Sequence, residues 1–415
     1  MKAISREEDR KMKHTIDSLM AELAVARFPE RWRGFFDEVM ADFDVHGCLA
    51  AAPAYYDRLE GEYAPFGEEL PIFREAAREV GGREALARFL SLLVYAQRDR
   101  GAIRADLAAL DLPRPPGGGH SLAYDMLPGL AVAAGIPDAV ARMRSRGIGD
   151  ALLLPSIRAI GKTVGGYRLR YGGNPGFHLL LWHQLTLDGR LFFIGRLQIE
   201  VPAAFPSAAV VYRHRDGRTL ALADGIPLHR DGYALGSKNY EDTEGARTPT
   251  VTETETAFCG YPFDERGYVK GAAVTLPKSE WTRVLGKGDP VISLHIPAGG
   301  KLTDELVSET MAEIRAFLAT YFADCDYRAF FCHSWMMDPQ LDEMLGDDAN
   351  ITKFRRRFHP LTARSMGRGV FNFIFHRMDT DFRIEELPGD TSFQRKLKEL
   401  YLAGGAIYEL HGYFF

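Results

Sequence analysis

The spacing of apolar residues changes once along this chain of 415 residues, near residue 165, and that change restricts the folds available to it. Before residue 165, apolar side chains repeat at helical spacing in several separate stretches. These stretches contain Ile16, Leu19, Met20 and Leu23, then Trp32, Phe35, Phe36, Val39, Met40 and Phe43, and later Leu86, Phe89, Leu90, Leu93 and Val94. A last helix is predicted over about 150–164, so residues 1–165 are predicted to form a helical domain.

After residue 165 the pattern favours strands joined by tight turns. The runs 178–187 and 190–201 are rich in β-forming residues, and they flank Asp188-Gly189, a pair typical of a two-residue hairpin turn. Asp216-Gly217 predicts a second hairpin in the same way. The polar stretch 231–256 is rich in Gly, Thr and Glu, so we expect loops there and treat it as a candidate active-site flap.

From residue 291 onward, predicted strands and helices alternate. Residues 291–296 and 327–335 are strand candidates, and 304–322 between them is a helix with apolar positions at helical spacing. A strand–helix–strand unit of this length implies a parallel pair with a right-handed crossover. Further elements are predicted as a short helix over 338–345, strands near Phe358 and over 369–375, a helix over 391–403 and a final strand over 406–415. The fold class is therefore α+β, with a mixed-sheet domain over 166–415.

Charge and composition exclude several classes of protein. The chain carries 51 basic and 56 acidic residues, and its net charge of −5 is opposite in sign to that of a general nucleic-acid binder. No run approaches the roughly 18 apolar residues of a membrane span, and the charged N-terminus lacks the apolar core of a signal peptide. The four cysteines have no CxxC spacing, and no cluster has metal-ligand spacing. We therefore expect a cytoplasmic protein without a bound metal.

The segment 291–303, VISLHIPAGGKLT, is the most informative for chemistry. A buried strand leads into a glycine turn and then into a helix that we expect Thr303 to cap. Free N–H groups at a helix start suit a phosphate, Gly299-Gly300 would let it approach the main chain, and Lys301 adds positive charge. The alternative is an ordinary strand-to-helix connection. The basic triplet 355–357 is either a solvated face or a second phosphate contact.

Two histidines, His295 and His333, fall near the C-terminal ends of the two predicted parallel strands, where open α/β sheets bind ligands. A neutral imidazole there could take a proton from an amine, and Ser334 or Cys332 could donate one to a leaving thiolate. Glu200, at the end of an earlier strand, is a second candidate base. The alternative is that both histidines are hydrogen-bonded core residues.

Two other motifs point to different chemistry. Ser334 with a nearby histidine and Asp338 could form a hydrolase triad, although no GxSxG elbow precedes the serine. Residues 364–369 fit R-x-x-G-x-G, the acetyl-CoA loop of many acetyltransferases. Because a strand is predicted to follow it instead of a helix, we interpret this segment as a turn.

Six segments in order carry a resemblance to a known family. They are GRLQIE (195–200), LHIPAGGKLTDE (294–305), CHSWMMDPQLDEML (332–345), NITKFRRRF (350–358), DTSFQRKL (390–397) and GGAIYELHGYFF (404–415). Together they resemble a bacterial acyltransferase-domain family whose members pair a helical N-acyltransferase N-terminal region with a GNAT-like C-terminal domain. The resemblance covers roughly residues 150–415, and the helical half only in general character.

This resemblance implies transfer of an acyl group from acyl-CoA (acetyl-CoA or a longer one) to a small-molecule or peptide amine. In a GNAT fold the strands ending at His295 and Ser334 would splay apart and take the pantetheine arm between them. The pyrophosphate loop would consist of Ile296, Ala298, Gly299, Gly300, Lys301 and Leu302. That loop lacks the usual R/Q-x-x-G-x-G/A pattern, so it binds CoA by a variant geometry, or its ligand or activity has changed.

Within this interpretation, His295 is predicted to be the general base, with Glu200 as an alternative that acts through water. His333 would orient His295 or contact the acceptor, and Ser334 would protonate the thiolate. Direct attack on the thioester is expected, because no activated nucleophile argues for a covalent intermediate. A catalytically silent GNAT-like domain that binds a ligand or partner, and a hydrolase that uses Ser334, remain the rival functions.

Overall fold

The computed structural model describes residues 15–41, 43, 48–379 and 381–415. The chain divides into two compact units, residues 1–192 and 193–415. The predicted break after residue 165 falls inside a helix, Asp150–Arg170. Residues 1–14, for which we expected no signal peptide, lie outside the described ranges. Within those ranges, no helix is both long enough and apolar enough to cross a membrane.

The first unit is built from helices that bury the apolar stripes seen in the sequence. Residues 84–96, for example, bury Leu86, Phe89, Leu90 and Leu93 on one side of a single helix. Its α-helices are α1 (Ile16–Glu22), α2 (Arg33–Ala41), α3 (Pro53–Tyr63), α4 (Leu70–Gly81), α5 (Glu84–Ala96), α6 (Ile103–Ala109), α7 (Leu122–Asp125), α8 (Leu127–Ala134), α9 (Ile136–Ser145), α10 (Asp150–Arg170) and α11 (Leu180–Leu187).

The strand predicted over 178–187 is wrong, since this run forms α11. Six of its eight residues are buried, including His183 and Gln184, so the run shows no polar face from which a helical period could be read. Asp188-Gly189 ends this helix instead of closing a hairpin. Gly189 has a φ of +66°, and the N–H of Arg190 donates to the carbonyl of Leu185 (2.9 Å). Left-handed glycines serve both kinds of turn, so the dipeptide alone could not distinguish them.

The second unit contains most of the strands. They are β1 (Leu191–Ile194), β2 (Leu197–Ala204), β3 (Ala209–His214), β4 (Thr219–Ala223), β5 (Thr252–Glu253), β6 (Ala257–Gly260), β7 (Val274–Pro277), β8 (Trp281–Gly286), β9 (Pro290–His295), β10 (Ala329–Ser334), β11 (His359–Leu361) and β12 (Leu410–Phe414). The hairpin predicted at Asp216-Gly217 is confirmed, because it joins β3 to β4 in antiparallel register. The run 190–201 is two strands rather than one.

The main sheet has six strands in the order β1-β2-β9-β10-β12-β11. Strands β9 and β10 are parallel, and the helix α12 (Asp304–Tyr321) connects them, which confirms the predicted strand–helix–strand unit. Strands β2 and β12 flank this pair in antiparallel fashion. Two three-stranded sheets, β4-β3-β8 and β5-β6-β7, complete the unit. The predicted mixed-sheet α+β class is therefore confirmed.

Among the described residues of this unit, four further α-helices follow: α13 (Gln340–Leu345), α14 (Asn350–Arg355), α15 (Gly369–Phe373) and α16 (Ser392–Leu402). The strand predicted over 369–375 is wrong, because the run begins with α15. The carboxylate of Glu409 accepts a hydrogen bond from the N–H of Gly369 and so stabilises the start of this helix. Segment 364–369 is a turn, with the N–H of Gly367 bonded to Ser365 Oγ (3.1 Å), but it precedes a helix.

The stretch 231–256 consists mostly of loops, as expected, and it is fastened to the second unit. The N–H of Lys238 donates to the carbonyl of Ser365 (3.0 Å), and the hydroxyl of Tyr408 donates to the carbonyl of Lys238 (3.1 Å). One hydrophobic core cluster of the unit lies on one face of the six-stranded sheet. It includes Phe205, Val211, Leu228, Val269, Leu285, Val291, Phe331 and Tyr413.

Candidate active site

The parallel strands β9 and β10 separate towards their C-terminal ends. Their pairing covers only Val291–Ser293 of β9 and Ala329–Phe331 of β10. Beyond that point β9 continues to pair with β2, and β10 continues to pair with β12 as far as Ser334. The last residues of the two strands therefore turn away from each other. The predicted splay is present, and it opens a wedge at the strand ends.

Strand register puts three of the four predicted catalytic side chains on one face of the sheet. Glu200 lies opposite Ser293, and His295 is two residues further along the same strand. Phe331 lies beside Ser293 in the parallel pairing, and His333 is two residues beyond it. Because side chains alternate along a strand, Glu200, His295 and His333 share one face.

Ser334 is on the other face, as the alternation of side chains requires. Its hydroxyl oxygen accepts a hydrogen bond from the N–H of Met336 (3.1 Å) and caps a short 3₁₀ helix, Trp335–Met337. The neighbouring Cys332 is fully buried, which raises the pKa of its thiol to about 12. Neither side chain is therefore arranged to serve the face that carries the histidines.

The hydrolase triad considered from the sequence is not assembled. The carboxylate of Asp338 accepts hydrogen bonds from the N–H groups of Gln340 (3.0 Å) and Tyr408 (2.8 Å). Burial raises the pKa of this carboxyl to about 6. Within the described part of the chain, neither Asp338 nor Ser334 forms a hydrogen bond to a histidine. A relay from carboxylate to imidazole to hydroxyl is thus missing.

The histidines of this face are neutral at physiological pH. Burial and, to a smaller extent, the neighbouring His333 lower the pKa of His295 to about 4. Partial desolvation also lowers the pKa of His333, while the nearby Glu409 opposes that change. The side chain of His333 is exposed, whereas that of His295 is half-buried. His333 is accordingly the accessible neutral imidazole of the wedge, and it can accept a proton.

The predicted pyrophosphate loop connects β9 to α12 and presents its main chain to solvent. Gly299 and Gly300 have φ values of +82° and +72°, a conformation that side chains with a β-carbon rarely adopt. No other atom lies within 4 Å of the place where a β-carbon of Gly299 would be. Ala298 and Lys301 are also exposed, Ile296 is half-buried and Leu302 is buried. A phosphate can approach the backbone of Gly299 without obstruction.

Arg196 holds this loop in place, a role that sequence reasoning missed. Its Nε donates to the carbonyl oxygen of Lys301 (3.0 Å), and its main-chain N–H donates to Thr310 Oγ1 (3.0 Å) in α12. The side chain thus links the turn after β1 to the loop after β9. Its place inside the GRLQIE segment, which also contains the candidate base Glu200, was the one available signal.

The start of α12 supplies further groups that suit an anion. Thr303 Oγ1 accepts from the N–H of Leu306 (3.3 Å), as expected of the N-cap. In the triplet 355–357, only Arg357 reaches this helix, where it contacts Asp304 and donates to Ser308 Oγ (2.7 Å). The other two arginines pair with Asp342. Free N–H groups of the first turn and the glycine backbone fit a phosphate-bearing ligand, while the guanidinium of Arg357 is paired with Asp304.

Across the described ranges, no three His, Cys, Asp or Glu side chains come together in a way that could hold a metal ion. The wedge, the accessible imidazole and the open glycine loop are therefore the chemical features of this end of the sheet.

Residues 191–414 match the family model described as the GNAT-like C-terminal domain. The chain belongs to this family. The resemblance drawn from the six segments is thereby confirmed at the level of the GNAT-like domain. None of the curated proteins matches the sequence.

Solved structures of acyltransferases share the fold of this GNAT-like protein and of its helical unit. One, in complex with CoA and 10C-teicoplanin, is 19% identical, covers 96% of this chain and 99% of its own, and has a TM-score of 0.62. A second, with decanoyl-CoA, is 18% identical over 97% and 99%, with a TM-score of 0.62. A third, with decanoyl-CoA and teicoplanin, is 19% identical over 96% and 99%, with a TM-score of 0.61.

Proposed function

We propose that the protein transfers an acyl group from acyl-CoA to an amine acceptor. The observation that carries this proposal is the exposed, neutral imidazole of His333 at the splayed ends of β9 and β10, on the same face as His295 and Glu200. A neutral base at the point where two parallel strands separate can take the proton of an amine that attacks a thioester. Acyltransferases of the same fold that have been solved with CoA or decanoyl-CoA support this choice of donor.

The CoA portion would lie along the loop that follows β9. Ile296, Ala298, Gly299, Gly300, Lys301 and Leu302 would surround its pyrophosphate, with main-chain N–H groups as the donors. The pantetheine arm would then run into the wedge between β9 and β10. Arg196 would keep the loop in its binding conformation through its bond to Lys301. Although the loop lacks the usual R/Q-x-x-G-x-G/A pattern, the positive φ values of its two glycines leave the backbone open.

The acyl group would pass directly from the thioester to the amine, without an acyl-enzyme intermediate. The amine nitrogen attacks the thioester carbonyl, main-chain N–H groups at the strand ends stabilise the oxyanion, and the C–S bond breaks after the C–N bond forms. An imidazole removes the proton from the amine and returns it to the CoA thiolate. Ser334 has no part in this scheme, because it lies on the opposite face and caps a helix.

The structure supports His333 over His295 as the first choice for that imidazole. The sequence favoured His295, but its side chain is half-buried, whereas that of His333 is exposed. His295 would then assist His333 or contact the thioester, and Glu200 remains an alternative base that acts through water. All three lie on the same face and are therefore alternative candidates, which substitution of each residue in turn would distinguish.

The acceptor is proposed to be a small-molecule amine, with a peptide amine as the alternative. Two of the structurally similar acyltransferases were solved with teicoplanin or 10C-teicoplanin, which are small molecules. A panel of primary amines, amino sugars, a glycopeptide and lysine peptides, assayed by release of free thiol from decanoyl-CoA, would identify the class.

Calorimetry with CoA, acetyl-CoA, octanoyl-CoA and decanoyl-CoA tests the donor directly. We expect saturable binding of at least one of them, and we expect Gly300→Val to abolish it. Gly217→Val is the matched control, because Gly217 also has a positive φ (+97°) but lies in the β3–β4 turn. If the wild-type chain bound none of the four, the donor assignment would be wrong and a silent GNAT-like domain would replace it.

A further inference from the structure

We propose that Ser207 and His411 form a positioning pair that holds the imidazole of His333 in the orientation required for proton transfer. This inference rests on the proposed function and extends it to two residues that have no place in the acyl-CoA site. Ser207 lies in the connection between β2 and β3, and His411 lies in β12, so the pair joins segments that are 204 positions apart in the chain.

A short hydrogen bond fixes the imidazole of His411. Ser207 Oγ lies 2.5 Å from His411 Nδ1, and the serine is buried, with 3% of its surface exposed. Main-chain bonds on both sides hold the serine in place: the N–H of Phe205 donates to the carbonyl of Asp289 (2.9 Å), and the N–H of Asp224 donates to the carbonyl of Ala208 (3.0 Å). A buried hydroxyl on Nδ1 restricts the plane in which the ring can lie.

The fixed ring of His411 lies directly beside His333. The two residues are opposite each other in the antiparallel pairing of β10 with β12, so their side chains share a face. Their ring centroids are 4.8 Å apart with an angle of 81°, an edge-to-face arrangement. On its other side His411 meets the ring of Phe331 at 5.2 Å and 67°. The imidazole of His333 therefore rests against a ring that Ser207 and Phe331 also contact.

The charges around His333 are consistent with this role. The titratable groups that act on it include His295 from β9, His411 from β12 and Glu409, which precedes β12. Burial lowers the pKa of His411 to about 3, so its ring stays neutral while His333 gains and loses a proton. Glu409 favours the protonated form of His333. Because the ring of His411 is neutral, it can hold the orientation of His333 without repelling the positive charge that His333 gains on protonation.

The first test removes the hydroxyl and then restores it. We expect Ser207→Ala to lower kcat by about 10-fold to 100-fold with little change in the KM for acyl-CoA, since a misdirected base costs rate but not donor affinity. Ser207→Thr keeps the hydroxyl and should restore most of the rate. His359→Phe is the control, because His359 points to the same face from β11 but pairs with Tyr413. We expect this control to leave kcat unchanged.

The second test places Ser207→Ala in a His333→Ala background. If the pair acts through His333, the serine substitution has no further effect on kcat there. An equal loss of rate in both backgrounds, or an unchanged kcat in Ser207→Ala alone, would overturn the proposal.

A third measurement does not depend on the reaction. The ring ¹⁵N and ¹H resonances of His333 followed by NMR titration should show a changed pKa and tautomer ratio in Ser207→Ala but not in His359→Phe. Unchanged His333 resonances would refute the positioning role. If calorimetry showed no acyl-CoA binding while the His333 titration still responded to Ser207→Ala, the proposed function would fail and the positioning pair would stand.

Discussion

The guanidinium of Arg196 donates a hydrogen bond from Nε to the main-chain oxygen of Lys301, 3.0 Å away. This bond ties the turn between β1 and β2 to the loop that is proposed to bind the pyrophosphate of CoA. Desolvation lowers the pKa of Arg196, yet the group stays fully charged at neutral pH. One hydrogen bond to the loop thus comes from a residue more than 100 positions earlier in the chain.

Arg196→Ala is therefore expected to weaken acyl-CoA binding. Loss of a hydrogen bond from a charged donor costs about 1.5–3 kcal/mol, which corresponds to roughly a 10-fold to 100-fold higher Kd. Calorimetry with decanoyl-CoA measures this change. Arg215→Ala is the matched control, since Arg215 is an exposed arginine whose ion-pair partner is Glu280. An unaltered Kd in Arg196→Ala would show that the loop holds its conformation without this bond.

Replacing the imidazoles one at a time assigns the general base. We expect His333→Ala to lower turnover by about 10²-fold to 10⁴-fold and to leave acyl-CoA affinity nearly intact. His295→Ala should have a smaller effect, because its side chain is half-buried. The measurements are thiol release and calorimetry on the same preparations. If only His295→Ala loses turnover, His295 is the base, as the sequence predicted. If neither variant loses turnover, the base is Glu200 or solvent.

Ser334→Ala separates the proposed transferase from a serine hydrolase. Because Ser334 Oγ caps a short 3₁₀ helix, we expect a stability loss of about 1 kcal/mol and turnover within roughly threefold of wild type. The checks are urea unfolding and the thiol-release assay. Labelling of Ser334 by a fluorophosphonate, together with loss of all turnover in the variant, would favour the hydrolase.

Acidification is expected to destabilise the helical unit through His183. This imidazole is buried, and burial lowers its pKa to about 3, against roughly 6.5 in an unfolded chain. Between these values the unfolded chain binds a proton that the folded chain does not, so stability present above pH 6.5 is lost as the pH falls. One such group costs about 2 kcal/mol between pH 7.5 and 5.

Urea unfolding at pH 7.5 and 5 measures this contribution. His183→Gln removes the titrating group and keeps a polar side chain near Thr163, whose hydroxyl is 2.8 Å from His183 Nε2. We expect this variant to lose about 2 kcal/mol less than wild type on acidification. His120→Gln, at an exposed histidine, should behave like wild type. Equal losses in all three proteins would assign the pH dependence to other groups.

Much of the site could be predicted because its parts are local in sequence. The strand 291–296, the glycine turn and the capped helix appear in the structure as β9, the open loop and α12. The choice between His333 and Ser334 could not be made in advance, because it depends on how β10 pairs with both neighbours.

The sequence by itself determined the family, the change from helical to strand periodicity and the β9–α12–β10 unit, because hydrophobic period and turn chemistry are set within a few residues. Only the tertiary structure decided that 180–187 is a helix, since a run buried on most of its sides has no readable period. It also decided that Ser207, His411 and His333 meet. The register between distant strands follows from long-range packing, which no local pattern encodes.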